Sequence, residues 1–464
     1  MQRLIGVPAF VVATALVAMP ATAQTTQTTQ TGQAPAAHAM HDAHAGHAAP
    51  SAGLAAAPQS QALVERYVAE GHVPGALISI GVGDAAPRIV SAGRIGDGPA
   101  ARAVDADSLW RVYSMTKPIT GIAAMILVEE GKLRLDQPIS DFIPAFRDMK
   151  VLVDPDKDLT TRPATRPITV RHLLTHTAGL GYNIITKGPL LNEYIRLGIN
   201  PAQVGAAMEA NDRKLRPESL AAFADRVATL PLIAEPGTKW SYSIGLDVLG
   251  RVIEVASGMP FDRFVNTRIL TPLGMTSSYW TVPAAKASQL ATDYAMVGSN
   301  RIPVDPGAGS VWLTPPSFPY GGAGLVMSAR DYDRFLHMLL NGGELDGARI
   351  LKPETVQLAM SDLLPPTVDR SSLESLTRDS GVPMGFGAAG SVYLADKPNG
   401  PGKGTYGWGG AAGTIAWVDP VHRVRAVGMI NLLLDQAFKR AAGQTVYADL
   451  AATAPAAGAG AATR

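Results

Sequence analysis

The chain contains no cysteine. That excludes disulfides, thiolate metal ligands, a cysteine nucleophile and a lipid-modified N-terminal cysteine. Charge is also scarce. Lys and Arg number 40 against 39 Asp and Glu, 17% of 464 residues, for a net charge of +1. No basic block breaks this balance, so nothing points to nucleic acid as a partner. Long apolar runs are missing too, except at the N-terminus. What the chain does have is 47% apolar residues, ample for a buried core. Its length exceeds what one core usually serves, so two domains, or one large domain with an insertion, is the expectation.

The N-terminus combines Arg3, an apolar run from Leu4 to Met19 and the small-residue triplet Ala21-Thr22-Ala23. This is the pattern of a secretory signal over residues 1–23, cut after Ala23. The run is short for a membrane span and is broken by Pro8. A cleaved leader, an exported (periplasmic or secreted) protein and no stable membrane anchor are therefore expected. Residues 24–57 are Gln, Thr, Ala, Pro and His with few large apolar side chains, which reads as a disordered linker. His38, His41, His44 and His47 lie in it, and four histidines on such a tract make an unselective metal site at best. A disordered tail is expected over 451–464.

Residues 58–450 form the globular part. "ALISIGVGDAAPRIVSAGRIG" reads as a hairpin, and apolar strand-like runs return in "GTIAWVDP" and "VRAVGMINLLL". Helical patterns dominate between. The expectation is an α+β fold, with a sheet region from about 58–113 and 300–450 and a helical region over about 114–299. No internal repeat is visible.

The chemistry starts at "VYSMTKPIT", residues 112–120. Pro118 suits the first turn of a helix, and Ile122, Met125, Ile126 and Leu127 continue an apolar face. Ser114 then stands at a helix N-terminus, with Lys117 three residues on and on the same face. A lysine made neutral by its surroundings can take a serine proton, and the helix dipole favours an oxyanion beside the serine. The tetrapeptide alone is common, so its neighbours decide.

Those neighbours are "LWRVYSMTKPITGIAAMILVEEGKLRLDQPISDFIP", "ITVRHLLTHTAGL", "FVNTRILTPLGMTSS" and "GGAGLVMSARDYDRFLHMLLNGG". In this order they resemble the serine beta-lactamase and penicillin-binding-protein superfamily over about residues 60–440. The branch most resembled holds family VIII carboxylesterases and class C beta-lactamases. The resemblance implies a beta-lactamase-like fold, with an antiparallel sheet flanked by helices, an inserted mainly helical region and a cleft between them. It also implies an acyl-enzyme on Ser114 and no cofactor or metal.

The superfamily's second motif, Tyr-x-Asn, matches Tyr242-Ser243-Ile244, which implies Tyr242 as the proton-relaying partner of Lys117. Ile244 departs from the pattern, because it cannot hold a substrate amide as Asn does. Ser241 to Gly245 nearly spells a G-x-S-x-G elbow, but the first Gly is absent, and Ser243 reads as a bystander. The third motif falls on Trp408-Gly409-Gly410, whose glycines let the strand approach a substrate. By resemblance the Ala411 and Ser114 amides form the oxyanion hole. Trp408 stands where a Lys would meet a carboxylate, which suits neutral esters unless another basic residue, such as Lys403, supplies the cation.

His172 and His176 read as structural, and so do Arg111 and Asp247. Trp312, Phe318 and Tyr320 are candidates for the acyl pocket or for surface packing. The expected partner is a small ester, and the expected enzyme a carboxylesterase on short-chain or small esters. A beta-lactamase or D-Ala-D-Ala carboxypeptidase, an amidase or transesterase, and a non-catalytic ligand-binding protein of the same fold stay open.

Overall fold

A computed structural model describes residues 53–453. The elements that position the site are, in chain order, α1 (Pro58–Ala69), β1 (Gly75–Val82), β2 (Arg88–Gly93), β3 (Leu109–Arg111), α2 (Thr116–Glu129), α3 (Gly245–Ser257), β4 (Ser278–Tyr279), β5 (Val326–Ser328), α4 (Ala329–Leu340), β6 (Met384–Phe386), β7 (Ser391–Tyr393), β8 (Tyr406–Gly409), β9 (Ile415–Asp419), β10 (Val424–Met429) and α5 (Ala437–Thr453).

Seven strands form one antiparallel sheet in the order β6-β7-β8-β9-β10-β1-β2. β1 and β2 are the expected hairpin, and β9 and β10 are the two late apolar runs. β1 is apolar and buried along almost its whole length because both faces of the sheet are covered. Successive side chains point to opposite faces. Leu77 enters the core that continues into α2 and α4, while Ile78 and Ile80 meet Leu63 and Val64 of α1 and Phe438 and Val446 of α5. The helical region packs α2 against α3 and shares the same continuous core. A second small sheet, β3-β5-β4, carries the chain up to Ser114.

Two boundaries and two features differ from the sequence reading. Leu54 and Ala57 are buried against the core under α1, so the expected linker ends before them; their apolar side chains have a surface to cover. α5 runs to Thr453, so residues 451–453 are helical rather than tail. The helical region also holds one hairpin, Lys150–Leu152 with Thr161–Pro163, and the first strand of another, Asp293–Val297 with Asn300–Asp305. Finally, α2 has no polar face, since every residue from Thr116 to Leu127 is buried. The expected leader (1–23), the four linker histidines and residues 454–464 lie outside the described residues. Among the described residues, no helix is long and apolar enough to cross a membrane.

One buried ion pair ties the two ends of the site's framework together. Arg111 at the end of β3 pairs with Asp305 and donates to the Ala291 carbonyl, to Asn431 Oδ1 at 3.3 Å and to Ser310 Oγ at 3.0 Å. Arg111 and Asp305 are both fully buried. Removing one partner strands the other charge, so Arg111→Ala should cost about 3–5 kcal/mol in urea unfolding. A loss below about 1 kcal/mol would show that the pair does not hold this framework.

Candidate active site

From Ser108 to Leu127 one residue alone reaches solvent, and it is Ser114. The backbone explains why. Tyr113 takes φ 40°, a left-handed conformation that costs a non-glycine residue about 1–3 kcal/mol. It is held there by burial, by a 2.8 Å hydrogen bond from its hydroxyl to Asp293 Oδ2 and by an edge-on contact with Trp312. The turn it makes lifts Ser114 out of the core just before α2 begins.

The first two turns of α2 face a glycine-rich segment, "YGGAGL" (320–325). Thr116 Oγ1 accepts from the Leu325 amide at 3.1 Å, Thr120 Oγ1 donates to the Gly321 carbonyl at 2.7 Å, and Lys117 Nζ donates to the Gly322 carbonyl at 2.7 Å. Lys117 is fully buried, and its second partner is Ser114 Oγ at 3.1 Å. The glycines are required: a Cβ on Gly322 would stand 2.8 Å from Asp247 Oδ2, and one on Gly321 would meet the Leu246 carbonyl.

Tyr242 comes from the loop before α3. Its hydroxyl is 2.7 Å from Ser114 Oγ, and Lys117 Nζ lies 4.7 Å from its ring centre. The ring is walled by His176, Tyr182, Trp240 and Trp408. Trp408 Nε1 is 3.5 Å from the Tyr242 oxygen, at the outer limit of a hydrogen bond. So the structure brings Ser114, Lys117, Tyr242 and Trp408 together, the first two as helix spacing predicts and the last two as the resemblance implies.

The rest of the third motif lies beside them. β7 pairs with β8 only as far as Gly407, which leaves the edge from Trp408 onward unpaired on that side. Gly410 is needed by the chain itself, because a Cβ there would strike the Val112 carbonyl. A Cβ on Gly409 would come within 3.2 Å of the Thr414 carbonyl and 3.3 Å of Ile415 and Lys439. Ala411 follows, partly exposed, and its carbonyl accepts from Leu434 N–H at 2.7 Å. Its own amide donates to no group among the described residues.

The other candidates separate cleanly. Ser243 is buried; its Oγ lies 3.0 Å from His176 Nδ1 and accepts from the Gly245 amide at 3.2 Å. Because the Ser243 amide also donates to Nδ1, that nitrogen carries no proton in the neutral ring. Burial, and then the nearby Lys117 charge, hold His176 well below the usual histidine range. It is a neutral prop under Tyr242. His172 closes a capping box with Thr169, and burial pulls it down to about 4. Ile244 is fully buried and offers the site nothing polar. Trp312, Phe318 and Tyr320 are all buried, so none lines an open pocket or the surface. Trp312 instead backs Tyr113, and Phe318 and Tyr320 pack on each other near Phe223. Lys403 is exposed in the turn before β8, at the end of the strand away from Gly409.

Sequence reasoning missed Tyr182, Trp240 and Phe386, which complete an aromatic wall with Tyr242 and Trp408. Tyr182 is foreshadowed, standing two residues past "HLLTHTAGL"; the other two have no signal. Asp247 is structural, as expected, but structural in a telling place. Its Oδ1 accepts from the Gly322 amide at 2.9 Å, and the carbonyl of that same glycine holds Lys117. Burial pushes its carboxyl up to about 7, against the opposing pull of Lys117 and the Gly322 amide.

A hydroxyl reached by an amine and a phenol, beside an unpaired strand edge, is equipped for nucleophilic attack on an acyl carbon. The beta-lactamase family model matches residues 60–449. The chain belongs to the beta-lactamase family. Within it, the chain is 33% identical to Esterase EstB of Burkholderia gladioli over 360 residues, covering 73% of this chain and 80% of that one. It is 31% identical to Lovastatin esterase of Penicillium rubens over 351 residues, 71% of this chain and 80% of that protein. Its structure matches "EstCE1, a hydrolase with promiscuous acyltransferase activity", with TM-score 0.67 and 25% identity over 84% of this chain and 98% of that one. With esterases among its relatives, this beta-lactamase-family protein is a serine hydrolase.

The position of Asp247 gives a pH test. A carboxyl raised to about 7 in the folded state and near 4 when unfolded stabilises the fold fully below about pH 4, and that contribution is lost as pH rises through 7. Asn cannot titrate. The stability of the wild type relative to Asp247→Asn should therefore fall between pH 5 and pH 8 in urea unfolding. A gap that stays level over that range would show that the carboxyl is not raised.

Proposed function

We propose that the protein is an exported carboxylesterase on small esters that works through an acyl-enzyme on Ser114. The observation that carries this is the double contact at Ser114 Oγ, with Lys117 Nζ at 3.1 Å and the Tyr242 hydroxyl at 2.7 Å. Both are within reach of the proton that must leave the serine. Lys117 and Tyr242 act as the proton-transfer pair. Ser114 Oγ bonds to the acyl carbon, and the carbonyl oxygen gains negative charge in front of the Ser114 and Ala411 amides. Tyr242 returns the proton to the departing alcohol. Water then attacks the acyl-enzyme, the same pair takes its proton, and Ser114 is regenerated with release of the acid.

Esters are preferred over lactams because Ile244 leaves no polar partner for a substrate amide, and a site lacking such a partner cannot select for it. An alcohol in place of water at the second step gives acyl transfer. That second reading is favoured by the likeness to EstCE1 and by the aromatic wall, which would seat an apolar acceptor.

A fluorophosphonate probe should label Ser114, and Ser114→Ala should abolish labelling and hydrolysis together. Labelling that persists in Ser114→Ala and vanishes in Ser243→Ala would overturn the assignment. Lys117→Ala and Tyr242→Phe should each lower kcat by about 10²–10⁴-fold in folded protein. Near-normal turnover in either removes that residue from the mechanism. On wild-type enzyme, kcat/KM for p-nitrophenyl butyrate should exceed that for a chromogenic cephalosporin by orders of magnitude; the reverse order would replace the esterase by a lactamase. Export is tested by intact mass: mature material should begin at Gln24, and a mass retaining residues 1–23 would refute a cleaved leader.

A further inference from the structure

One residue grips the chain on both sides of Tyr242. The Ser241 amide donates to the His176 carbonyl at 2.9 Å, and the Ser243 amide donates to His176 Nδ1 at 3.2 Å. The Ser243 hydroxyl gives Nδ1 a second contact at 3.0 Å. The imidazole then lies against the Tyr242 ring, with centroids 4.8 Å apart. Tyr242 is thus held at the residue before it, at the residue after it and on its ring. The phenol placed in this way is the one 2.7 Å from Ser114 Oγ. The support is itself anchored. The Gly237 amide donates to the Thr177 carbonyl at 2.7 Å, and the Ala389 amide donates to the Leu174 carbonyl at 3.1 Å, so the chain is fixed on either side of His176.

Two features of His176 are costly to the fold. Its φ is 56°, a left-handed conformation uncommon outside glycine. Its Nε2 is buried and has no hydrogen-bond partner among the described residues. With both Ser243 donors directed at Nδ1, the proton of the neutral ring sits on that Nε2. Trp240 and Phe386 stand edge-on to the imidazole. A phenylalanine or leucine could pack among these rings without stranding an N–H. What the imidazole adds at this position is the Nδ1 acceptor, and that acceptor serves the residue next to Tyr242.

We propose that His176 is a positioning residue for the hydrolytic reaction, which through its Nδ1 acceptor sets the place of the Tyr242 hydroxyl over Ser114. This rests on the esterase reading of Ser114. His176 transfers no proton and acts through Tyr242 alone. Its effect therefore falls on turnover rather than on substrate binding, and it vanishes when Tyr242 has no hydroxyl to place. A residue that merely supported the fold would do neither.

The test compares His176→Phe, which keeps a ring and removes the acceptor, with His176→Asn, whose amide oxygen takes the place of Nδ1. On p-nitrophenyl butyrate, His176→Phe should lower kcat by about 10- to 100-fold and leave KM within about threefold of the wild type. His176→Asn should restore most of the lost kcat. In the Tyr242→Phe background, His176→Phe should cost less than about threefold more. The proposal is overturned if folded His176→Phe keeps the wild-type kcat, if His176→Asn is as slow as His176→Phe, or if His176→Phe costs the same factor with and without the Tyr242 hydroxyl. Should His176→Phe fail to fold, His176→Gln replaces it, since its amide reaches the Nε2 position and misses Nδ1, and the same outcomes decide. A wild type that neither hydrolyses the ester nor is labelled at Ser114 by a fluorophosphonate refutes the esterase reading instead.

Discussion

A lysine with no exposure has to find its hydrogen-bond acceptors inside the protein, and Lys117 has two: the Gly322 carbonyl and Ser114 Oγ. Much else follows from supplying them. α2 is sunk into the core on every side, so its first turn cannot drift. The 320–325 segment has to run within hydrogen-bond reach of that turn, which is why it is rich in glycine. α3 then presses its own first turn against the same segment, and Asp247 closes the back of it. Two helices and one glycine-rich turn are thereby locked around a single amine.

Both sides of the site also carry backbone that is costly by itself. Tyr113 at φ 40° raises Ser114, and Leu434 at φ 66° brings the approach to α5 against Ala411. Neither is a glycine, so each conformation persists because contacts and hydrogen bonds hold it. Tyr113 has Asp293 and Trp312; Leu434 has the Ala411 carbonyl. Strain of this kind fits a site whose distances must stay fixed while a substrate comes and goes.

Much of this was legible in the sequence, for reasons that differ by residue. Ser114 and Lys117 share a helix face at a spacing that geometry alone converts into contact. The β1–β2 hairpin and the apolar runs of β9 and β10 follow from short-range pattern. Tyr242 and Trp408 could be placed beside Ser114 only through the resemblance, since over a hundred residues separate them from it. Other features had no local signature. The complete burial of α2 is set by what packs on its polar positions, not by its own period. Asp247 acts through one peptide group, and nothing in "GLDVLG" tells which peptide that is. Leu54 looked like linker because its neighbours do.

The sheet order has a consequence for how the molecule comes into being. β1, near the start of the folded part, pairs with β10, near its end, and with nothing between them but the hairpin partner on the other side. A growing chain therefore holds an apolar strand with one open edge until almost all of it has been made. Such long-range pairing is slow to form. Ser114, Lys117 and Tyr242 emerge well before that edge is closed, but the turn bearing Ala411 and the helix α5 behind it arrive late. The nucleophile is thus complete in sequence long before it has a site, and a chain stopped short of Val424 would carry the reactive motif and an uncovered sheet edge together.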